Sequence, residues 1–361
     1  MIRRALLLTV LVLVVAAMVP ATGTVEIEPT HTVVDALGRS VEIPAYPDRI
    51  VTAGSAVLMI ADALYLFPGA SERIVGIGRI NQGKGNFLAS IDSDYGEKAV
   101  LERQVGPEQI AALSPDLVII KSFMRQRVGD GLERLGIPVI YVDLETPEQY
   151  QRDLRMLGEV LGQPARGAEL ARYYESRVTH VERAVSSALE ADSRRPRTLF
   201  LYADLTGGEQ AFNVPPASWI QTTLVDTAGG DPVWVDQITG GGWNRVGLEQ
   251  IAAWNPEIIT LVAYRQDVGE VRTALLTDPA WAELRAVREG NLLIFPIDFY
   301  SWDQPDVRWL LGLQWLASVL HPNHVEIDIQ EQLYDFFSFA YRMSRSEVDS
   351  TIVPLLEGIT R

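Results

Sequence analysis

The stretch GPEQIAALSPDLVI, residues 106–119, returns 141 positions later as GLEQIAAWNPEIIT, residues 247–260, with seven of fourteen positions identical. Each copy reads as a glycine, a glutamate, a short apolar helix and a strand. A Glu in a helix's first turn is favourable, because the helix dipole places partial positive charge there. One unit used twice points to two similarly built halves, and 361 residues exceed the roughly 100–200 of a usual single domain.

Outward from the first copy, RIVTAG (49–54), RIVGIG (73–78), DLVIIKSF (116–123) and IPVIYVD (137–143) read as short apolar strands. SAVLMIADALYLF (55–67) and DGLERLG (130–136) between them read as helices. Strands that alternate with helices indicate βα units and a mainly parallel sheet. HTVVDALGRSVEIP (31–44) alternates apolar and polar residues around Leu37-Gly38-Arg39 and predicts a β-hairpin. Around the second copy, PRTLFLYAD (196–204), GDPVWVD (230–236), PEIITLVAY (256–264) and NLLIFPID (291–298) are strand candidates, and ASWIQTTLVDTAG (217–229) and VRWLLGLQWLASVLHP (307–322) are helical.

Between the halves, residues 147–192 carry apolar residues at three- and four-residue spacing, broken only around Gly162-Gln163-Pro164. The part after the break predicts one helix of about 25 residues, roughly 38 Å long. The expected organisation is an α/β fold of two Rossmann-like lobes, residues 30–146 and 193–325, joined by a helical region over 147–192 that contains a single long spine helix. An N-terminal hairpin and a helical C-terminal tail over 326–361 complete it.

Ligands of such sheets gather beyond the carboxyl ends of the strands. Those ends hold Ser55, Arg79, Asn81 and Lys121 in the first half. In the second they hold Tyr202, Trp243, Arg245, Tyr264, Arg265, Tyr300 and Trp302, with Arg308 near a helix start. The set is aromatic and cationic, although the whole chain is acidic. Ser55 opens a helix whose backbone N–H groups suit an anion. The arginines and Lys121 suit a carboxylate, phosphate or oxyanion. Trp309 and Trp315, inside a helix, read as core.

Thirty-one basic against 47 acidic residues give a net charge of −16, which disfavours nucleic acid and anionic membrane. Arg3-Arg4 followed by an apolar run from Ala5 to Val19 and small residues has the order of a secretory signal over residues 1–23, cut after Ala21. The rest is expected to be exported and soluble. No cysteine is present, which removes disulfides, thiolate metal sites and a cysteine nucleophile. GIGRINQGKG (76–85) is neither G-x-G-x-x-G nor a P-loop and reads as a loop at the cleft edge. The four histidines, His31, His180, His321 and His324, are too scattered for a metal site. With no G-x-S-x-G and no H-E-x-x-H, no enzyme is expected.

VVDALGRSVEIPAYPDRIV (33–51), EQIAALSPDLVI (108–119), LERLGIPVIYVD (132–143) and LRMLGEVLG (154–162) resemble the N-terminal lobe of substrate-binding proteins of ABC importers. The branch is the one that handles ferric siderophores, haem and cobalamin. WAELRAVREGNLLIFP (281–296) and YSWDQPDVRWLLGLQWLASVLHPN (300–323) resemble its C-terminal lobe. The resemblance implies a monomeric, non-catalytic receptor, periplasmic or on the outer cell surface, that needs no cofactor and delivers its ligand to a permease dimer with its ATPase. It further implies that Glu108 and Glu249 engage arginines of the two permease subunits. A metal chelate is the expected ligand. An oxyanion such as molybdate or tungstate is the alternative within the fold, and a sensory or adhesive ectodomain the alternative outside transport.

Overall fold

The computed structural model describes residues 29–80, 83–192, 194–206 and 210–359. The expected signal segment and Asn81 lie outside them. Strands β1 (Thr30–Val34) and β2 (Ser40–Pro44) form the hairpin, with Val33 and Ile43 buried beneath it. Next come β3 (Ile50–Thr52), β4 (Ile74–Gly78), β5 (Ala99–Leu101), β6 (Leu117–Lys121) and β7 (Val139–Val142). They make one parallel sheet in the order β5-β4-β3-β6-β7.

The second sheet is built from β8 (Arg197–Asp204), β9 (Ala211–Val214), β10 (Asp231–Pro232), β11 (Asn244–Val246), β12 (Ile258–Val262) and β13 (Leu292–Ile294). Its order is β11-β9-β8-β12-β13, with β10 beside β8. β8, β12 and β13 run parallel, while β9 is antiparallel to β8 and β11 to β9. The repeated sequence supplies β6 and β12, both buried along their whole length. Strands covered on both faces read as continuous apolar runs for that reason. GDPVWVD gives only the two-residue β10, because Pro232 has no N–H to donate to a ladder.

The helix Pro147–Val160 is followed by the 29-residue helix Pro164–Asp192, roughly 44 Å long, which joins the two sheets. Two further crossings hold the lobes together. The tail helix Ile329–Tyr341 returns to the first lobe, where Phe337 and Tyr341 pack on Phe87 with ring centroids 5.7 and 4.8 Å apart. The glycine-rich stretch after β4 crosses to the second lobe, and the Lys84 N–H donates to the Phe299 carbonyl at 2.8 Å. Gly83 must be glycine there. Its φ is +76°, and a Cβ would lie 1.8 Å from the Phe299 carbonyl oxygen.

Beneath these crossings lies a buried ionic cluster. Arg308 donates to Asp62 at 2.6 Å and to Asp298 at 2.9 Å, with all three side chains sealed from solvent. The guanidinium sits 4.5 Å from the Phe87 ring centroid and 5.0 Å from that of Tyr300. Trp302 Nε1 donates to Asp298 at 2.9 Å, and Tyr300 Oη accepts from the Phe87 N–H at 3.0 Å. Arg308, Tyr300 and Trp302 were expected at the cleft. They instead form the internal joint between lobes, because Asp62 and Asp298 supply the counter-charge that lets a guanidinium be buried. Trp309 and Trp315 are core residues.

Candidate ligand-binding site

A cavity of about 390 Å³ lies between the carboxyl ends of the two sheets. The first lobe lines it with Gly54, Ala56, Val57 and Leu58 after β3, Arg79 and Ile80 after β4, and Arg103 after β5. The second lobe contributes Tyr202 from β8, Trp243 just before β11, and Tyr264 and Arg265 just after β12.

The helix Val57–Tyr65 is buried from Val57 to Leu64, so only its first turn reaches the cavity. Gly54 and Ala56 both have positive φ, +92° and 58°, which turns the chain sharply from β3 into the helix. No side chain caps this end, and among the described residues no acceptor takes the N–H of Ala56, Val57 or Leu58. A helix start of this kind attracts negative charge through both its free donors and its dipole. Ser55 is half-buried in the same turn, and the cavity is lined by its neighbours rather than by Ser55 itself.

Arg79 Nε and Nη2 both donate to Glu102 Oε1, at 3.0 and 2.7 Å. That pairing holds the Arg79 guanidinium above, and the Glu102 carboxyl below, the ordinary values. Arg265 Nη1 lies 3.7 Å from Asp204 Oδ2. Asp204 also accepts from the Thr206 hydroxyl at 2.6 Å, the Thr206 N–H at 3.0 Å and Gln266 Nε2 at 3.2 Å. These donors, the Thr206 hydroxyl foremost, hold its carboxyl below the usual range. Arg103 is exposed and has no carboxylate partner among the described residues.

The opposite wall is aromatic. Tyr202 lies 4.8 Å from Tyr264 and 5.2 Å from Trp243, and Trp219 packs edge-on to Trp243 at 5.3 Å. Tyr264 Oη donates to Asp303 at 2.5 Å, and Asp303 is fully buried. Burial pushes the Asp303 carboxyl up to about 6, with Ser301, Tyr264 and Gln221 opposing that shift as donors. Its burial pushes the Tyr264 phenol well up as well.

Of the residues expected at the cleft, Arg79, Tyr202, Trp243, Tyr264 and Arg265 are brought together around the cavity. Lys121 is not among them. It is buried, pairs with Glu145 at 2.5 Å and donates to the Asp143 carbonyl, so its charge is met inside the first lobe at the end of β7. Burial pushes its ammonium down. Arg245 is exposed on edge strand β11 and lies off the cavity wall, its Nη2 3.4 Å from the Gln210 carbonyl. Arg103 went unforeseen because β5, the short strand that places it, was not recognised.

Glu108 and Glu249 are both exposed in the first turn of their helices. The preceding Gly106 and Gly247 have nearly the same dihedral angles, −92°/164° and −93°/164°. Each helix follows the edge strand of its sheet, β5 in one and β11 in the other. Both glutamates are thus presented in one local geometry at matching sheet edges.

Residues 50–298 match the periplasmic binding protein family. The chain belongs to that family. It is 25% identical over 345 residues to the molybdate-binding protein MolA of Haemophilus influenzae, covering 86% of this chain and 91% of that protein. It is 25% identical over 232 residues to a vitamin B12-binding protein of Yersinia pseudotuberculosis, covering 60% of this chain and 79% of the relative. Among solved structures, a periplasmic solute binding protein of Veillonella parvula superposes with a TM-score of 0.71 at 21% identity, covering 91% of this chain and 98% of the other. Members of this family bind solutes. No helix among the described residues is long and apolar enough to cross a membrane.

Proposed function

We propose that this protein is an exported receptor of an ABC importer whose ligand is an anion, and that an oxyanion such as molybdate or tungstate is the first candidate. The observation that carries the reading is the uncapped helix start at Ala56–Leu58, which opens onto a cavity rimmed by Arg79, Arg103 and Arg265. Backbone donors fixed by a buried helix need no rearrangement to meet an anion, and guanidinium groups add charge-assisted hydrogen bonds. The named activity of the relative that matches this chain over most of both lengths points the same way. This reading reverses the expectation of a larger metal chelate.

The chelate remains as a second reading because of the wall of Tyr202, Trp243 and Tyr264. A cavity of about 390 Å³ is larger than a bare tetrahedral oxyanion needs, and an anionic chelate would use both its cationic and its aromatic sides. In either case the receptor makes and breaks no bond. Glu108 and Glu249, repeated on the two lobes, are proposed to dock a permease dimer, where complementary charge steers and orients the encounter.

A thermal-shift panel of molybdate, tungstate, sulfate, a ferric catecholate, haemin and cobalamin separates the readings. A ligand at 100 times its dissociation constant stabilises the native state by about 2.7 kcal/mol. Stabilisation by an oxyanion that is lost in Arg79→Ala supports the first reading. Stabilisation by the ferric chelate alone supports the second, and a response only to uncharged ligands refutes both.

A further inference from the structure

Two of the three cavity arginines already hold a carboxylate of this chain. Arg79 follows β4 and is paired with Glu102 at the exit of the neighbouring β5. Arg265 follows β12 and faces Asp204 at the end of the neighbouring β8. Each contact therefore spans the carboxyl ends of two adjacent parallel strands, one in each lobe, beside the same cavity. A guanidinium on a carboxylate is the interaction that an anionic ligand would make in its place.

The two contacts differ in firmness. Arg79 and Glu102 keep 48% and 69% of their side-chain surface, so the pair is screened and easily exchanged. Asp204 is 16% exposed and is fixed by Thr206 and Gln266, whereas Arg265 is 73% exposed and 3.7 Å away. The acid stays in place on the second lobe while the arginine is free to swing.

We propose that Glu102 and Asp204 are built-in competitors for the ligand, each holding one cavity arginine, so that the receptor admits multiply charged anions and refuses single charges. The inference rests on the anion reading. A monovalent anion that displaces a carboxylate exchanges one charge contact for a similar one and gains little. A dianion gains two charges' worth of attraction from the freed arginine, from Arg103, which has no carboxylate partner among the described residues, and from the helix start. Glu102 and Asp204 also repel any anion that enters, a dianion more than a monoanion, and only a ligand that engages several of the arginines and the helix start at once offsets that repulsion.

The test uses calorimetric titration of the full mature protein with tungstate, sulfate and chloride, for wild type, Glu102→Gln, Asp204→Asn and the double variant. Gln and Asn keep an acceptor for Arg79, Arg265, Thr206 and Gln266, so the fold is retained and only the charge is removed. Each single variant is expected to bind tungstate roughly threefold more tightly at low ionic strength, a gain that shrinks as salt rises. Chloride, inert towards wild type, should compete in the double variant. Unchanged or weaker tungstate binding in both single variants overturns the proposal and makes these acids positioning groups for the arginines. The wild-type titration reads the anion reading separately. If wild type binds none of these anions, the anion reading falls and the selectivity inference falls with it, whereas tungstate binding by wild type that neither single variant tightens overturns the competitors alone.

Discussion

Replacing Asp303 by Asn should change how stability depends on pH, by an amount the structure sets. Asp303 is fully buried behind the aromatic wall and accepts hydrogen bonds from Tyr264 Oη at 2.5 Å, Ser301 Oγ at 2.5 Å and Gln221 Nε2 at 3.1 Å. Desolvation outweighs those donors and raises the carboxyl from 3.8 to about 6. The unfolded chain releases this proton near 3.8 and the folded chain near 6, so between these values the folded state holds more protons. Stability therefore falls as pH rises through that window and is level above it. A difference of about 2 units, at 1.36 kcal/mol per unit, amounts to about 3 kcal/mol. Asn keeps an acceptor for Tyr264 and Gln221 and has no proton to lose. Urea unfolding of both proteins from pH 4 to pH 8 isolates the group, because every other titrating residue is shared. The variant should gain about 2.5 kcal/mol of this on wild type between pH 4 and pH 7, the rest lying below pH 4. A difference that stays flat to within about 0.5 kcal/mol across that range refutes the reasoning.

Four further outcomes are expected. Glu108→Ala combined with Glu249→Ala should abolish uptake in cells while ligand affinity stays within about twofold, since both residues lie outside the cavity; normal transport by the double variant ends the docking proposal. Asp62→Ala should cost about 3–5 kcal/mol in urea unfolding by leaving Arg308 short of a buried counter-charge. Arg308→Met should cost more, because it strands both Asp62 and Asp298. Gly83→Ala should destabilise by more than about 1 kcal/mol, because the left-handed backbone resists a side chain. It should also speed hydrogen exchange at the Lys84 amide, whose bond to Phe299 is lost when the Cβ displaces that carbonyl.

The elements legible in the sequence were those whose neighbours are apolar on every side. β3, β6 and β12 are buried along their whole length and built mostly of Ile, Val and Leu, and the long helix shows its apolar stripe over many turns. β5, β9 and β11 escaped because they are three or four residues long at or near a sheet edge, β9 alternating between half-buried and buried positions and β5 and β11 having no buried residue at all. Short strands with one covered side leave little periodicity to read. Charged residues were harder still. Lys121 and Arg308 look like cleft cations in sequence, yet their counter-ions Glu145 and Asp62 stand 24 and 246 positions away. Residue type gives polarity, but burial is decided by partners that only the fold brings near. Tyr202 and Tyr264 line the cavity because they lie at the carboxyl ends of β8 and β12, whereas Trp243 reaches it from just before β11, a position no strand end in the sequence marks.

The two halves are alike on the outside and unlike within, and the difference has a physical reason. Gly106 and Gly247 share dihedral angles, and each sets a glutamate beside the edge strand of its own sheet. The cavity walls share no such correspondence. Arg79 follows β4, on the far side of β3 from β6, whereas Tyr264 and Arg265 follow β12, the counterpart of β6. One wall therefore offers backbone donors from a helix start, and the other offers rings. A permease dimer presents two equivalent surfaces, so a receptor that docks on it gains by repeating one contact on both lobes. The anion proposed to lodge between the lobes would have no such axis to match, and each wall is free to differ. On the proposed docking and anion readings, repetition outside with divergence inside is what these two demands would favour in a fold that uses one βα pattern twice.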